Sequence, residues 1–322
     1  MNAIGVDVGG TKIAAAVVSP GGEILNEVRY PTQAVPPNRL LESIGYAINE
    51  AGEGFETGGA CVAVPGLVMS PENKVIFAPN LHEIEGIRLD EELGRSTGLP
   101  VTVENDANAA AWGEFHYGAG KDVEHLVFVT LGTGVGGGVI THGVLLRGLQ
   151  GAGGELGHIV MEPGGPLCGC GNEGCLEALA SGTAIQRRAR EVANRHPGSA
   201  LGRLAIERQI LGEDVTRLAQ EEDEAALRVL RETGTWLGIG LAGFVNIFNP
   251  EIVAVGGGAS QAGEMLLEPA REEMYRKARS PSRDLVEIME ATLGPTSGVL
   301  GAAALAQDGE GRYVLEPAGE AS

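Results

Sequence analysis

One short run holds the residues best suited to take a proton from an alcohol: Glu104-Asn105-Asp106-Ala107-Asn108-Ala109, a polar cluster where a strand pattern gives way to a helical one. A carboxylate at the carboxyl end of a strand is well placed for that work. The same residues suit a helix N-cap, for which Asn and Asp are preferred, although a cap needs only one of them. Phosphoryl transfer to an alcohol requires alignment, neutralisation of phosphate charge, and a base that orients the hydroxyl. Asp106 has the chemistry of that base. Asn105, and Asn80 in Ala78-Pro79-Asn80-Leu81, carry donors and acceptors of the kind polyhydroxylated substrates need, and equally serve ordinary turns.

A second chemistry is written in glycine. Ile4 to Val8, the turn Gly9-Gly10-Thr11-Lys12, and Ile13 to Val18 read as a strand, a tight turn and a returning strand. Such a turn lets backbone N–H groups approach a phosphate, and Asp7 on the first strand faces the place of a nucleotide's magnesium. Val127 to Leu131, Gly132-Thr133-Gly134, and Val135 to Ile140 repeat the design at an offset of about 123 positions, superimposing Gly9 on Gly132. One copy alone is equally an ordinary hairpin; two in register imply related halves. Lys12 has no counterpart and reads as a helper or a solvated side chain. A third backbone cradle, or a plain connecting turn, follows the strand Glu251–Val255 at Gly256-Gly257-Gly258, ahead of a helix from about Gln261. Neither a dinucleotide fingerprint nor a P-loop fits: Gln261 stands where the third glycine belongs, and Gly120-Lys121 is followed by Asp122.

The third cluster is His158 with Cys168, Cys170 and Cys175. Three thiols and an imidazole at close spacing suit a four-coordinate structural zinc, with free loop thiols as the alternative. Metal on one imidazole nitrogen would make the other a fixed donor, directed toward whatever lies beside Glu155. Glu155 and Glu177 bracket the cluster, and either could equally be a solvated carboxylate. Cys61, inside an apolar run, reads as core.

The elements that must position these groups alternate in the manner of an α/β protein. Strands are expected over 23–30, 60–64, 101–103, 126–131, 136–140 and 251–255, and helices over 38–51, 89–97, 106–117, 182–193 and 225–248. At 322 residues the chain has length for about two domains. A net charge of −20 argues against a nucleic-acid face or an anionic membrane partner. A triphosphate must then be held by amides, helix N-termini and a divalent cation. The N-terminus shows no secretory pattern and the longest apolar stretch is broken by glycines, so a cytoplasmic protein is expected.

In order and spacing, Asp7-Val8-Gly9-Gly10-Thr11-Lys12, Glu104 to Ala109, Leu131-Gly132-Thr133-Gly134, Gly153-Gly154-Glu155-Leu156-Gly157-His158 and Cys168 to Glu177 resemble the ROK family of sugar kinases and repressors, its bacterial glucokinases above all. The resemblance spans nearly the whole chain. It implies a two-lobed, actin-like ATPase fold of hexokinase type, ribonuclease H-like, with the active-site cleft between the lobes. It also implies ATP with magnesium as donor system, a structural zinc, and a homodimer or tetramer. Asp106 would be the base on the 6-hydroxyl of glucose, with sugar contacts from Gly66, Asn80, Asn105, Asp106, Glu155, His158 and Glu177. His158, Cys168, Cys170 and Cys175 would hold the zinc; Asp7, Gly9, Gly10, Thr11, Lys12, Gly132, Thr133 and Gly134 the triphosphate; Gly257 and Gly258 the nucleoside. The expected division is residues 1–106 plus 297–322 as the small lobe and 107–296 as the large one. Family repressors carry a helix-turn-helix ahead of the first hairpin, and this chain opens on the strand, so a repressor or non-catalytic sugar sensor is the lesser alternative. Leu67-Val68 and Leu81-His82 depart from the glucokinase wording, which keeps N-acetylmannosamine, N-acetylglucosamine, fructose and allose as alternative sugars. The tail after Ala306 matches nothing in the family.

Overall fold

The computed structural model describes residues 1–32, 37–69, 72–79 and 81–308. In chain order the elements are β1 (Asn2–Val8), β2 (Lys12–Val18), β3 (Ile24–Pro31), α1 (Pro37–Gly52), β4 (Thr57–Val64), β5 (Leu67–Met69), β6 (Lys74–Phe77), α2 (Leu89–Thr97), β7 (Val101–Asn105) and α3 (Asp106–Tyr117). They continue as β8 (Leu126–Leu131), β9 (Val135–Thr141), β10 (Val144–Leu145), α4 (Leu176–Ala180), α5 (Gly182–Arg195), α6 (Ala200–Glu207), α7 (Gly212–Gln220) and α8 (Glu224–Phe248). The last are β11 (Ile252–Gly256), α9 (Glu264–Lys277), α10 (Ser282–Leu285), β12 (Glu287–Glu290) and α11 (Ser297–Gln307). Among the described residues, no helix is long and apolar enough to cross a membrane.

The chain divides into two compact units, one of residues 1–117, 147–153 and 296 onward, the other of 118–146 and 154–295. The first is built on a five-stranded sheet in the order β3-β2-β1-β4-β7, the second on a five-stranded sheet in the order β10-β9-β8-β11-β12. β1 pairs antiparallel with β2 and parallel with β4; β8 pairs antiparallel with β9 and parallel with β11. The repeat seen in the two hairpins therefore runs through whole sheets: each strand of the first has its counterpart, in the same place, in the second.

Alternation along β1 decides what reaches the site. Ile4, Val6 and Val8 point to one face and pack with Leu40, Ile44 and Ile48 of α1. Each such fully buried aliphatic side chain contributes about 1.5–3 kcal/mol of transfer free energy. Gly5 and Asp7 point to the other face, where α11 lies. A Cβ on Gly5 would strike the Val299 carbonyl, and one on Gly298 would come within 3.1 Å of the Asp7 carboxyl carbon. α11 and α3 meet as closely: a side chain at Gly301 would fall on the Ala109 carbonyl, and one at Gly113 on that of Ser297. This glycine and alanine contact ties α3 into the first unit, which moves the boundary from the expected residue 106 to residue 117.

In the second unit α8 carries the long apolar stripe, with Val229, Leu230, Leu237, Leu241, Phe244 and Val245 buried. It starts where the Asp223 side chain accepts from the Ala226 N–H and stops at Asn249, whose φ of 47° is left-handed. The helix expected from about Gln261 is a 3-10 turn over Gly258–Ala262, with α9 beginning at Glu264. β5, β6, β10, β12, α4, α6, α7 and α10 had no forecast; all are short.

Candidate active site

The first unit gathers Asp7, the first hairpin, Gly66, Asn105 and Asp106. The hairpin closes through the Gly9 N–H donating to the Lys12 carbonyl at 2.9 Å, and Thr32 braces it by donating its hydroxyl to the Gly9 carbonyl at 2.6 Å. Gly10, Thr11 and Lys12 are exposed. A Cβ on Gly10 would meet no protein atom within 4 Å, and one on Gly9 only the Lys12 carbonyl at 3.3 Å. Packing does not demand glycine at Gly10, and the space before it is open. Burial pushes the Asp7 carboxyl up, with the Lys12 ammonium opposing.

At the end of β7 the polar run divides its work. Asn105 is the cap: its Oδ1 accepts from the Asn108 N–H at 3.0 Å. Its Nδ2 donates to the Gly66 carbonyl at 2.9 Å, tying the loop after β4 to this corner. Gly66 has φ of 101°, and a Cβ there would crowd Ala78 and Pro79 at 2.9 Å, so only glycine fits. Asp106, between the cap and the helix, is half-buried, and its Oδ1 accepts from the Ala107 N–H of the first turn at 2.8 Å. Asn80 lies outside the described residues.

Glu104, the head of the polar run, and Arg147, for which no role was expected, hold this corner. Glu104 is buried, and its Oε1 accepts from the Asn105 N–H at 2.9 Å and from Asn108 Nδ2 at 3.0 Å. Its Oε2 receives Arg147 Nε at 2.6 Å. Arg147 opens the short segment 147–153 by which the chain re-enters the first unit after β10. A Glu at the head of a polar cluster and an Arg forty-three positions on carry no local signal of each other.

The second unit gathers the other hairpin, Glu155, His158, Glu177 and the cysteines. The Gly182 N–H, at the start of α5, donates to the Gly132 carbonyl at 2.8 Å, and the Thr183 hydroxyl donates to the Thr133 carbonyl at 2.7 Å. The turn is thus seated on the N-terminus of α5, whose first N–H groups hold the turn's carbonyls and the Ser181 cap. Gly132, like Gly10, has open space where a Cβ would stand. Gly257 has φ of 89° and packs so closely on Leu131 that a Cβ would lie 2.6 Å from its backbone nitrogen, which holds the third turn to the end of β8.

Glu177 is no solvated carboxylate. Its Oε2 accepts from the Val135 N–H at 3.1 Å and its Oε1 from the Cys168 thiol at 3.2 Å, so it links the hairpin to the cysteine cluster. His158 Nδ1 lies 3.7 Å from Cys168 Sγ, Cys170 Sγ lies 3.7 Å from Cys175 Sγ, and all four donor atoms fall within 4.8 Å of one another. Burial pushes the Cys168 and Cys175 thiols up, whereas the Asn172 backbone N–H holds Cys170 down. One imidazole and three thiols are the donor set of a structural zinc site, and a dication would take the place of the thiol protons. The other imidazole nitrogen, Nε2, faces Glu155 Oε2 at 3.9 Å. Partial desolvation pushes the Glu155 carboxyl up, with His158 opposing and Glu177 adding.

Comparison with known proteins places this arrangement. The model of the ROK family matches residues 3–309. A glucokinase of Thermotoga maritima is 39% identical over 307 residues, covering 95% of this chain and 97% of its own. A glucokinase of Streptomyces coelicolor is 40% identical over 310 residues, with the same coverage of 95% and 97%. The crystal structure of a ROK family glucokinase from Streptomyces griseus, in complex with glucose and AMPPNP, superimposes with a TM-score of 0.83 at 39% identity, covering 96% of this chain and all of that one. Together with the duplicated sheets, these matches identify the architecture as the α/β, actin-like fold of hexokinase type.

Proposed function

This chain belongs to the ROK family, and from that premise we propose that it phosphorylates glucose at the 6-hydroxyl with ATP, Asp106 taking the proton. The corner at the start of α3 carries this reading. Asn105 caps α3 and Glu104 anchors the corner, and between them the half-buried Asp106 carboxylate is held at the carboxyl end of β7. A carboxylate there orients the hydroxyl and accepts its proton as the oxygen attacks phosphorus.

When bound, magnesium and ATP supply the phosphoryl group and the counter-charge that steadies it. The chain's own residues fit them: Gly9 and Gly132 close the two turns with their own N–H groups, Gly10 and Gly134 offer backbone N–H groups, Thr11, Lys12 and Thr133 flank them, Asp7 offers a carboxylate for the cation, and Gly257 and Gly258 offer backbone to the nucleoside. Gly66, Asn80, Asn105, Glu155, His158 and Glu177 orient the sugar. His158 Nδ1 and the sulfurs of Cys168, Cys170 and Cys175 hold zinc, which makes Nε2 a donor beside Glu155. Zinc in this reading shapes the pocket and takes no part in phosphoryl transfer.

A panel of sugars assayed with magnesium and ATP tests the substrate. Glucose should head it; glucose among the poorest would overturn the choice of sugar and return N-acetylmannosamine or another hexose. Asp106→Asn should lower kcat by at least about a hundredfold, the scale of general-base catalysis, while glucose still binds. Near-normal turnover in that variant would remove Asp106 from its role.

A further inference from the structure

Besides the cysteine cluster, one other group of side chains among the described residues brings metal-ligating atoms together: Glu124, His125 and His142, whose donor atoms lie within 4.8 Å of one another. We propose that these three residues bind a divalent transition metal, such as zinc or nickel, at a second site unrelated to the phosphoryl-transfer chemistry.

Two imidazoles and one carboxylate form a donor set that first-row dications accept, with further positions left to water. The cluster also carries the outer support that such ligands need. His125 Nδ1 lies 3.0 Å from Thr141 Oγ1. If Nδ1 donates to that hydroxyl, the ring is held in the tautomer whose Nε2 bears the free lone pair, the form a metal requires. The Glu251 carboxylate accepts from the Glu124 N–H at 2.8 Å and from the His125 N–H at 3.1 Å, fixing the backbone from which two of the ligands spring. The third ligand sits at the tip of the β9–β10 turn, where His142 takes a left-handed φ of 51° and its ring meets the His125 ring edge-on, centroids 4.6 Å apart. The Gly143 N–H donates to the Glu124 carbonyl at 3.0 Å and closes the turn on the first ligand's own backbone.

Ligand atoms around a tetrahedral zinc stand about 3.3 Å apart at ordinary bond lengths. Glu124 and His142 are exposed, so rotation of their side chains is enough to close the present spacing. The site lies at the end of the β8–β9 hairpin opposite Gly132-Thr133-Gly134, roughly 20 Å away along strands that rise about 3.3 Å per residue. A metal here pins the start of β8 to the β9–β10 turn and is remote from the phosphate turn.

Titration of the full chain with Ni2+ or Zn2+ by calorimetry tests this. Wild type should bind one equivalent more than His142→Asn, a residue that tolerates the left-handed backbone, and one more than Glu124→Ala. Thr141→Val should weaken that equivalent about tenfold by releasing the His125 ring. Sugar phosphorylation should be unchanged in all three, and the added metal should raise Tm by more in wild type than in His142→Asn or Glu124→Ala. Equal stoichiometry and affinity in wild type and in both ligand variants would overturn the proposal. So would binding that disappears entirely in Cys170→Ser, because every equivalent would then belong to the cysteine cluster.

Discussion

Arg147→Met tests how far the Asp106 corner depends on the buried Glu104–Arg147 pair. Methionine keeps the apolar stem and removes the guanidinium that stands 2.6 Å from Glu104 Oε2. Oε1 retains its two donors, so the loss falls on a single oxygen of a carboxylate only 3% exposed. Breaking such a pair from one side costs about 3–5 kcal/mol. The Arg147 side chain is 16% exposed, so water can partly take its place, and about 3 kcal/mol is expected. For a unit of this size that is a fall in Tm of roughly 6–12 °C. Glu104→Gln in the same chain should restore more than half of it, because no uncompensated charge then stays buried. Catalysis should follow in kcat, since Glu104 holds the Asn105 backbone from which Asp106 is aimed, and a small misplacement of a reacting group costs about 10-fold or more. Thermal unfolding by circular dichroism, with steady-state kinetics on glucose, reads both effects. A Tm within about 2 °C of wild type together with unchanged kcat would refute the reasoning, and so would a double variant as unstable as the single.

Gly132→Ala should leave stability within about 0.5 kcal/mol, because its Cβ meets no protein atom, yet raise KM for ATP several-fold; an unaltered KM would mean that the open space serves no ligand. Gly301→Ala should destabilise by about 2 kcal/mol or more, since its Cβ falls on the Ala109 backbone carbonyl, and a denaturation midpoint equal to wild type would contradict the close crossing of α3 and α11. Burial pushes the Cys61 thiol up to about 12, so in native protein it should be alkylated more slowly than the exposed Cys170. With its folded pKa above the unfolded value near 9, its contribution to stability is complete below about pH 9 and is lost as pH rises toward 12; a titration of unfolding free energy that is flat across this range would rule it out. Cys170→Ser should release zinc and weaken glucose binding, measured by metal analysis and calorimetry, and sugar affinity equal to wild type in the metal-free variant would separate the two sites.

Much of this was written locally. The turn Gly9-Gly10 and its echo at Gly132, the strand at 126–131 and the helices at 106–117 and 89–97 lie where alternation, periodicity and capping residues put them. The thiols and His158 announced themselves by spacing, since a cluster of side chains drawn from one short stretch of chain is a local object. What stayed hidden depends on partners far away in sequence. Glu104 and Arg147 look like any two charges until the fold pairs them, and Glu177 resembles a surface carboxylate until Val135 and Cys168 reach it. The boundary of the first unit was missed for a related reason. α3 and α11 join through glycine and alanine, which give no amphipathic stripe for a sequence pattern to catch. The related halves that the two hairpins implied extend to entire sheets, with β4 and β11 in the same place in each.

α11 has one more implication, for how the chain is made. Gln307 donates to the carbonyl of Val18, 289 positions earlier, and the helix it ends covers the Gly5 and Asp7 side of the first strand. At the pace of a ribosome, about 5–20 residues per second, the opening strand waits on the order of fifteen to sixty seconds for its cover to be synthesised. Messages cut short anywhere before the final helix should yield chains that chaperones hold or proteases clear, with no working N-terminal half to salvage.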